Sequence, residues 1–404
     1  MAVAVSRVLV IECGAAETRA AFLVDGEPQR FWFGPARGDE SLQRTPQTGD
    51  IFAGRVRAVA KGLNGAFVDI GAARDGFLPF SKNEKPPVEG AAVIVRARRP
   101  QINAKGAVLT LDWKKKLSAD AAAALQSQAK AIMVGALGEP ADAAVEALLR
   151  CGPEAEAGER VIVTNDAAAR RLIEAAASTS VEIESRPFSA FGIDSAVEDS
   201  LEQSVSVSGG ARLQFYETEA GVCIDVDSAG AAGASNDKIN TAAARRLFPE
   251  ISRRAVAGRI VVDFLPPSGG GARTQLIEAV KEGLKAISGA RFGKLSPDGL
   301  CDFTLPRRNL SLLMVATEPA GDGWPVKGRR LTLDWAAKAA IRDLEGALIA
   351  RPSSAPRLLV TAEIGAYLCE QRPQWLARLA ERFGARFTTG RDAAREMRAH
   401  EIVE

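Results

Sequence analysis

Three carboxylates sit where carboxylates are costly. In Cys223-Ile224-Asp225-Val226-Asp227 apolar and acidic residues alternate, so Asp225 and Asp227 fall on the same side of a strand. Gly258-Arg259-Ile260-Val261-Val262-Asp263-Phe264 is a second β-branched run, with Asp263 near its C-terminal end. A carboxylate inside an apolar strand is destabilising unless something positive neutralises it. A hard, oxygen-preferring cation such as Mg²⁺ or Mn²⁺ does this, and its usual chemistry is on phosphodiesters. The plain alternative is that each Asp caps a helix or pairs with an arginine. Three of them on two neighbouring strands, aimed at one point, argue for the shared cation.

Bringing them together requires a particular supersecondary unit. Asn240 to Ala257 reads as a helix between the two strands, and strand–helix–strand favours a right-handed parallel crossover. A glycine-rich turn, Gly269-Gly270-Gly271, and an amphipathic helix follow; no GK[ST] completes a phosphate loop, so the glycines read as a turn. Arg291, Lys294, Arg307 and Arg308 come next and are expected to hold the phosphates of a bound strand.

Composition narrows the chemistry. The chain has 404 residues, 47% hydrophobic and 25% charged, which suits two to four compact units. No run of about 18 apolar residues is available for a membrane span. The apolar N-terminus lacks a basic n-region and reads as a first buried strand. Five scattered cysteines without CxxC suit a reducing cytoplasm, with no disulfide framework and no cysteine zinc site. His400 is the only histidine and is expected at the surface; catalytic triads and HExxH sites need more. Carboxylates with a hard metal are the remaining candidates.

Charge is unevenly distributed. Arg55 to Lys116 holds 13 Lys and Arg against 5 Asp and Glu, a local net of +8, so the rest of a chain of net +2 carries −6. One basic module in a mildly acidic chain is the pattern of a face that holds a phosphate backbone. That module, from Thr48 to Trp113, shows five short β-runs separated by Gly, Pro and Asn, with Asn64-Gly65 as a hairpin turn, and suits a small OB-type barrel. Phe67 and Phe77, with Arg55, Arg57, Arg96, Arg98 and Lys105 around them, read either as barrel core or as stacking rings beside cations for single-stranded nucleic acid. The local +8 favours binding.

The remainder reads as α/β. Residues 1–45 give a strand and a hairpin through Asp25-Gly26 that must complete a sheet elsewhere. Residues 114–160 are helical and alanine-rich, GERVIVTN and VEIESR are strands, and GIDSAVEDSLEQSVSVSGG reads as a helix ending near Gly209-Gly210. GDGWPVKG is a linker. Residues 331–404 give helix, strand, a helix over IGAYLCEQRPQWLARLAERFG, and a short strand.

With these residues in hand, the chain resembles the bacterial ribonuclease E/G family. IDVDSA resembles its Ile-Asp-Ile/Val-Asn-Ser/Thr strand, INTAAARRL its Asn-Thr-Asn-Leu-Glu-Ala-Ala helix, and GRIVVDF its Gly-Gly-Ile-Ile-Ile-Asp-Phe strand. GDIFAGRVRAVAKGLNGAFVDIGAARDGFLPF is similar to its inserted S1-type barrel, and RFG to the segment after its catalytic helix. The resemblance implies an α/β multidomain protein. Its parts would be an RNase H-like scaffold (1–45 and 114–210), an inserted S1/OB-type β-barrel (46–113), a DNase I-like catalytic part (211–310), a linker (311–330) and a small C-terminal α/β domain (331–404). It also implies magnesium-dependent endonucleolytic cleavage of single-stranded, AU-rich RNA, in RNA processing and decay. By position, Asp225 and Asp263 match the family's metal-binding aspartates, Phe67 and Phe77 its stacking aromatics, and Lys105 a lysine near the RNA path.

Departures accompany the match. Asp227 replaces an Asn, and Pro266 replaces a second acid. The Cys-Pro-x-Cys zinc link has no counterpart around 309–330, so no zinc and no zinc-bridged oligomer are expected. The Val-Arg-Thr-Ala-Gly-type segment with which the family reads a 5′-monophosphate is missing after the barrel. The expected reaction is hydrolysis by a water activated by Mg²⁺ (or Mn²⁺) held by Asp225, Asp263 and Asp227, needing no side-chain base. The competing readings are an RNA-binding or chaperone protein without cleavage, and a scaffold held to partners by its C-terminal part.

Overall fold

The computed structural model describes residues 6–39, 45–80, 86–102, 105–115, 117–152, 161–177, 179–218, 220–228, 230–231, 233–321, 328–392 and 398–403. Residues 322–327 of the expected linker (311–330) lie outside them, and its described part holds the helix Leu312–Ala316 and the paired strands Thr317–Pro319 and Arg329–Leu331. The chain divides into two compact units, Met1–Glu40 with Ala141–Pro306 and Ser311–Glu404, and Ser41–Pro140 with Arg307–Leu310.

The larger unit contains two principal sheets. The first has five strands in the order Val181–Ile183, Val161–Thr164, Arg7–Cys13, Glu17–Val24, Glu27–Pro35. Arg7–Cys13 pairs parallel with Val161–Thr164 and antiparallel with Glu17–Val24. Both faces are covered: Leu9, Ile11 and Phe22 pack on the helices Ala143–Cys151 and Ala167–Ala177, while Val10, Ala21 and Leu23 meet Phe188, Ile193 and Trp335. Burial on both faces is why RVLVIEC is nearly continuously apolar.

The second sheet has the order Ser204–Ser206, Arg212–Glu217, Val222–Asp227, Gly258–Asp263, Leu300–Leu305, Arg291–Leu295. Its only parallel pair is Val222–Asp227 with Gly258–Asp263, joined by a crossover helix. That helix runs Asn236–Arg253, four residues earlier than expected at each end. Asp237 in the first turn suits the helix dipole, and Ala255 at φ 52° stops the helix before the strand. The crossover helix and Gly270–Lys285 cover one face of this sheet through Ile239, Leu247, Ile251, Leu276 and Val280. The stretch read as one helix to Gly209 is a helix only over Ile193–Leu201; Ser204–Ser206 is then the edge strand, because Val205 pairs with Leu213 and faces the core.

The C-terminal segment is not a separate unit. Its helix Leu333–Ala350 and strand Arg357–Val360 share a core with Ala15 and Ala16, and Arg378 reaches both Asp39 and the Ala15 carbonyl. The helix expected through Gln374 is broken at Arg372, since Pro373 disfavours the α region for its predecessor; a new helix spans Pro373–Phe383. His400, expected at the surface, is partly buried, with Nε2 2.7 Å from Asp343 Oδ2. Among the described residues no helix is long and apolar enough to cross a membrane.

The smaller unit is a closed five-stranded barrel. Ile51–Ala60 pairs with both Gly65–Asp69 and Ala92–Arg99, and Gly76–Pro79 and Val108–Thr110 complete the circuit. Val56, Val68, Leu78, Val95 and Leu109 fill it. The unit continues past the expected boundary at 113: Gly135–Leu137 adds to Ile51–Ala53, and the helix Ala119–Ala131 lays Ala122, Leu125 and Ala129 against Ile51, Ala53, Trp113 and Leu137.

Candidate functional site

The parallel register sets Asp225 directly beside Asp263 on adjacent strands, which run about 4.8 Å apart. Ile224, Val226, Ile260 and Val262 point into the core, so Asp225, Asp227 and Asp263 all stand on the face that the helices leave uncovered. The crossover helix fixes this arrangement. Asn240, buried, donates from Nδ2 to the Leu265 carbonyl (2.8 Å) and accepts from the Leu265 amide at Oδ1 (3.1 Å), clamping the chain just beyond Asp263. The turn after Asp227 is equally constrained. Gly210 has φ +91°, and a Cβ on Gly230 would lie 2.2 Å from the Gly210 carbonyl oxygen, so the two turns meet backbone to backbone.

Electrostatics distinguish Asp225 from an ordinary surface aspartate. Partial burial, then the neighbouring Asp263 and Asp227 carboxylates, push the Asp225 carboxyl above its usual range. Neither the Asp225 nor the Asp263 carboxylate has a hydrogen bond or ion pair among the described residues. Two carboxylates side by side without a side-chain partner are the kind of oxygen donors that would suit a hard dication. Among the described residues no three His, Cys, Asp or Glu side chains form a single ligand set. Asp227, expected as a third ligand, stands one pair of residues along, opposite Arg212, while Gln214 faces Asp225.

A stability prediction follows from the raised pKa. Its contribution to folding is present at low pH and lost as pH rises through the folded-state value, because ionisation then sets like charges together. Asp225→Asn should therefore raise the urea midpoint measured in EDTA, by a gap that widens from acidic to neutral pH and stays below about 1 kcal/mol, since the group is mostly solvated.

The barrel carries the second set of expected residues. Phe67 and Phe77 are cross-strand partners on its outer surface, not its core, with ring centroids 5.5 Å apart and Phe67 37% exposed. Gly65 makes room for them: a Cβ there would lie 2.4 Å from the Phe77 ring. Phe77 faces Val108, and a β-bulge on the next strand places the exposed Arg98 and Arg99 against Val108. Arg99 was not expected here; the Arg98-Arg99 doublet after alternating inward residues is its signal. Lys105 is exposed in the adjoining turn, its amide donating to Ile102. Arg55 is also exposed.

Other expected cations are engaged or lie elsewhere. Arg57 pairs with Asp69 (2.6 Å) and Asp75 (3.3 Å), and Arg96 donates to the Lys115 carbonyl (2.5 Å). Arg291 is on the same face as the acids but at the other end of its sheet: it pairs with Thr304, which pairs with Arg259, four residues before Asp263. Arg307 and Arg308 belong to the barrel unit, where Thr48 donates to the Arg308 carbonyl (2.5 Å).

Residues 89–308 match the model of the Ribonuclease E/G family. A stretch of 140 residues, 33% of the chain, is 32% identical to the Arabidopsis thaliana protein named Ribonuclease E/G-like protein, chloroplastic. That match spans 14% of the plant protein's length.

Proposed function

The chain belongs to the ribonuclease E/G family, and from this we propose that it is a metal-dependent endoribonuclease that cuts single-stranded, AU-rich RNA during RNA processing and decay in the cytoplasm. The observation that carries the reading is the unpartnered Asp225–Asp263 pair in parallel register on an uncovered sheet face. The strand order of the first sheet, three antiparallel strands extended by two parallel ones, supports an RNase H-like scaffold. The helix-backed second sheet supports a DNase I-like catalytic part, and the closed barrel an S1/OB-type domain.

Asp225 and Asp263 would hold Mg²⁺ or Mn²⁺, with Asp227 adding negative charge beside them. Such an ion, when bound, lowers the pKa of a water and offsets charge developing on the phosphate. The chain's own part is to place the strand: Phe67 and Phe77 stack bases, while Arg55, Arg98, Arg99 and Lys105 meet phosphates. No histidine takes a proton at this face, because His400 is committed to Asp343.

The test is a 5′-labelled AU-rich single strand incubated with the protein in Mg²⁺ and in EDTA. Internal cuts only with metal support the enzyme. A gel shift without cuts in either lane leaves an RNA-binding protein, the reading that the extra carboxylate of Asp227 favours.

The barrel's role has its own expected result. Phe67→Ala should weaken RNA binding about tenfold or more, the worth of one stacked base. It should barely move the denaturation midpoint, because the ring lies outside the barrel core. Fluorescence anisotropy and thermal unfolding on the same preparation check both halves.

A further inference from the structure

The uncovered sheet face has a pattern beyond its acids. Tyr216 stands across from Cys223, and Cys223 across from Val261, one row of residues below the Asp225–Asp263 pair. One row further, Arg259 stands across from Thr304, and Thr304 across from Arg291. Tyr216 is 47% exposed, and both arginines are exposed with no hydrogen bond or ion pair among the described residues. Asp302 and Lys294, paired across the next two strands, border the same stretch and offset one another in charge. The result is a lane floored by Cys223 and Val261, with an aromatic ring on one side and a basic row about 13 Å from Asp263 at ~3.3 Å per residue.

The charge pattern suits one occupant. Phosphates next to the scissile one are repelled by the three carboxylates and attracted by the basic row, while a half-exposed ring beside the path offers a stacking surface for any base. Resting on the nuclease reading above, we propose that this lane is an RNA subsite. It takes the few nucleotides on one side of the scissile phosphate, one base against Tyr216 and a phosphate on Arg259 and Arg291. The sequence carries a faint signal of it: in Arg212-Leu213-Gln214-Phe215-Tyr216 the polar positions alternate, placing Tyr216 on the face of Asp225.

The experiment compares fluorescein-labelled single-stranded oligonucleotides that share one cleavage site, either full-length or trimmed to one nucleotide on the 5′ or the 3′ side. Anisotropy with the full-length chain in EDTA gives affinities, and a Mg²⁺ reaction gives cleavage. Wild type is expected to bind the full-length strand about tenfold tighter than one of the two trimmed strands, the size of one stacking contact. Tyr216→Ala and Arg259→Ala should each abolish that advantage without weakening the trimmed strand, while Tyr216→Phe retains it. An advantage that survives both alanine variants, or none in wild type, overturns the subsite. Strands that show the advantage but remain uncut in Mg²⁺ overturn the nuclease reading and leave the subsite standing.

Discussion

Replacing Asp263 by Asn is expected to lower Mg²⁺-dependent cleavage on the order of 10³-fold while RNA binding by the barrel stays unchanged. The substitution is isosteric, so Val262 and Phe264 keep their places in the core and Asn240 still clamps Leu265. What is lost is one of two charges facing one point. On the proposed reading, a hard cation worth several kcal/mol to the transition state would then have a single carboxylate to hold it. Asp225→Asn should be equally severe, and the double variant little worse than either, because ligands of one ion act as a unit. Initial rates on a labelled single strand, beside anisotropy on the same RNA, decide the matter. A loss below about tenfold would place the metal elsewhere.

A second large effect is expected far from any chemistry, at Glu250. This carboxylate is fully buried near the end of the crossover helix, accepts from Arg253 and Arg254, and lies 2.8 Å from Arg246. Arg254 also donates to the Glu202 and Asp199 carbonyls and lies over the Phe215 ring, tying the second sheet to the helix Ile193–Leu201. Burial holds the Arg254 guanidinium below its ordinary pKa despite Glu250. Glu250→Gln would take the paired carboxylate from two buried guanidinium groups, a loss that typically costs 3–5 kcal/mol. Urea unfolding should show that drop, with cleavage per folded molecule unchanged. A loss under about 1 kcal/mol would mean that water reaches the cluster.

What the sequence made legible was whatever depends on local alternation. Cys223 to Asp227 alternates cleanly, and the parallel crossover then dictates that Asp225 and Asp263 meet; only the helix bounds moved, by four residues. The barrel was legible from its turns, but whether Phe67 and Phe77 pointed inward was not, since an aromatic fits either side of a strand; Gly65 beneath the Phe77 ring carries that information only once the register is known. Cations were the least legible. Arg57, Arg96 and Arg291 looked alike in the sequence, yet one is tied to Asp69, one to a carbonyl, and one stands beyond Arg259 at the end of the sheet face away from the acids. Nothing local distinguishes them, because the partners are set by tertiary contacts.

The insertion of the barrel between the third strand of the first sheet and its parallel partners has a kinetic consequence. The Cys13 amide bonds to Asn165, 152 residues later, so Arg7–Cys13 waits through the whole barrel for its neighbour Val161–Thr164. The barrel's own pairings span less of the chain, beginning with the hairpin at Asn64-Gly65. Loop-closure entropy makes short-range contacts form first, and on the ribosome they also emerge first. The barrel should therefore be complete while the N-terminal hairpin still exposes an unpaired strand edge. During synthesis this edge opens the protein to a misassociation that the pairing with Val161–Thr164 later closes off.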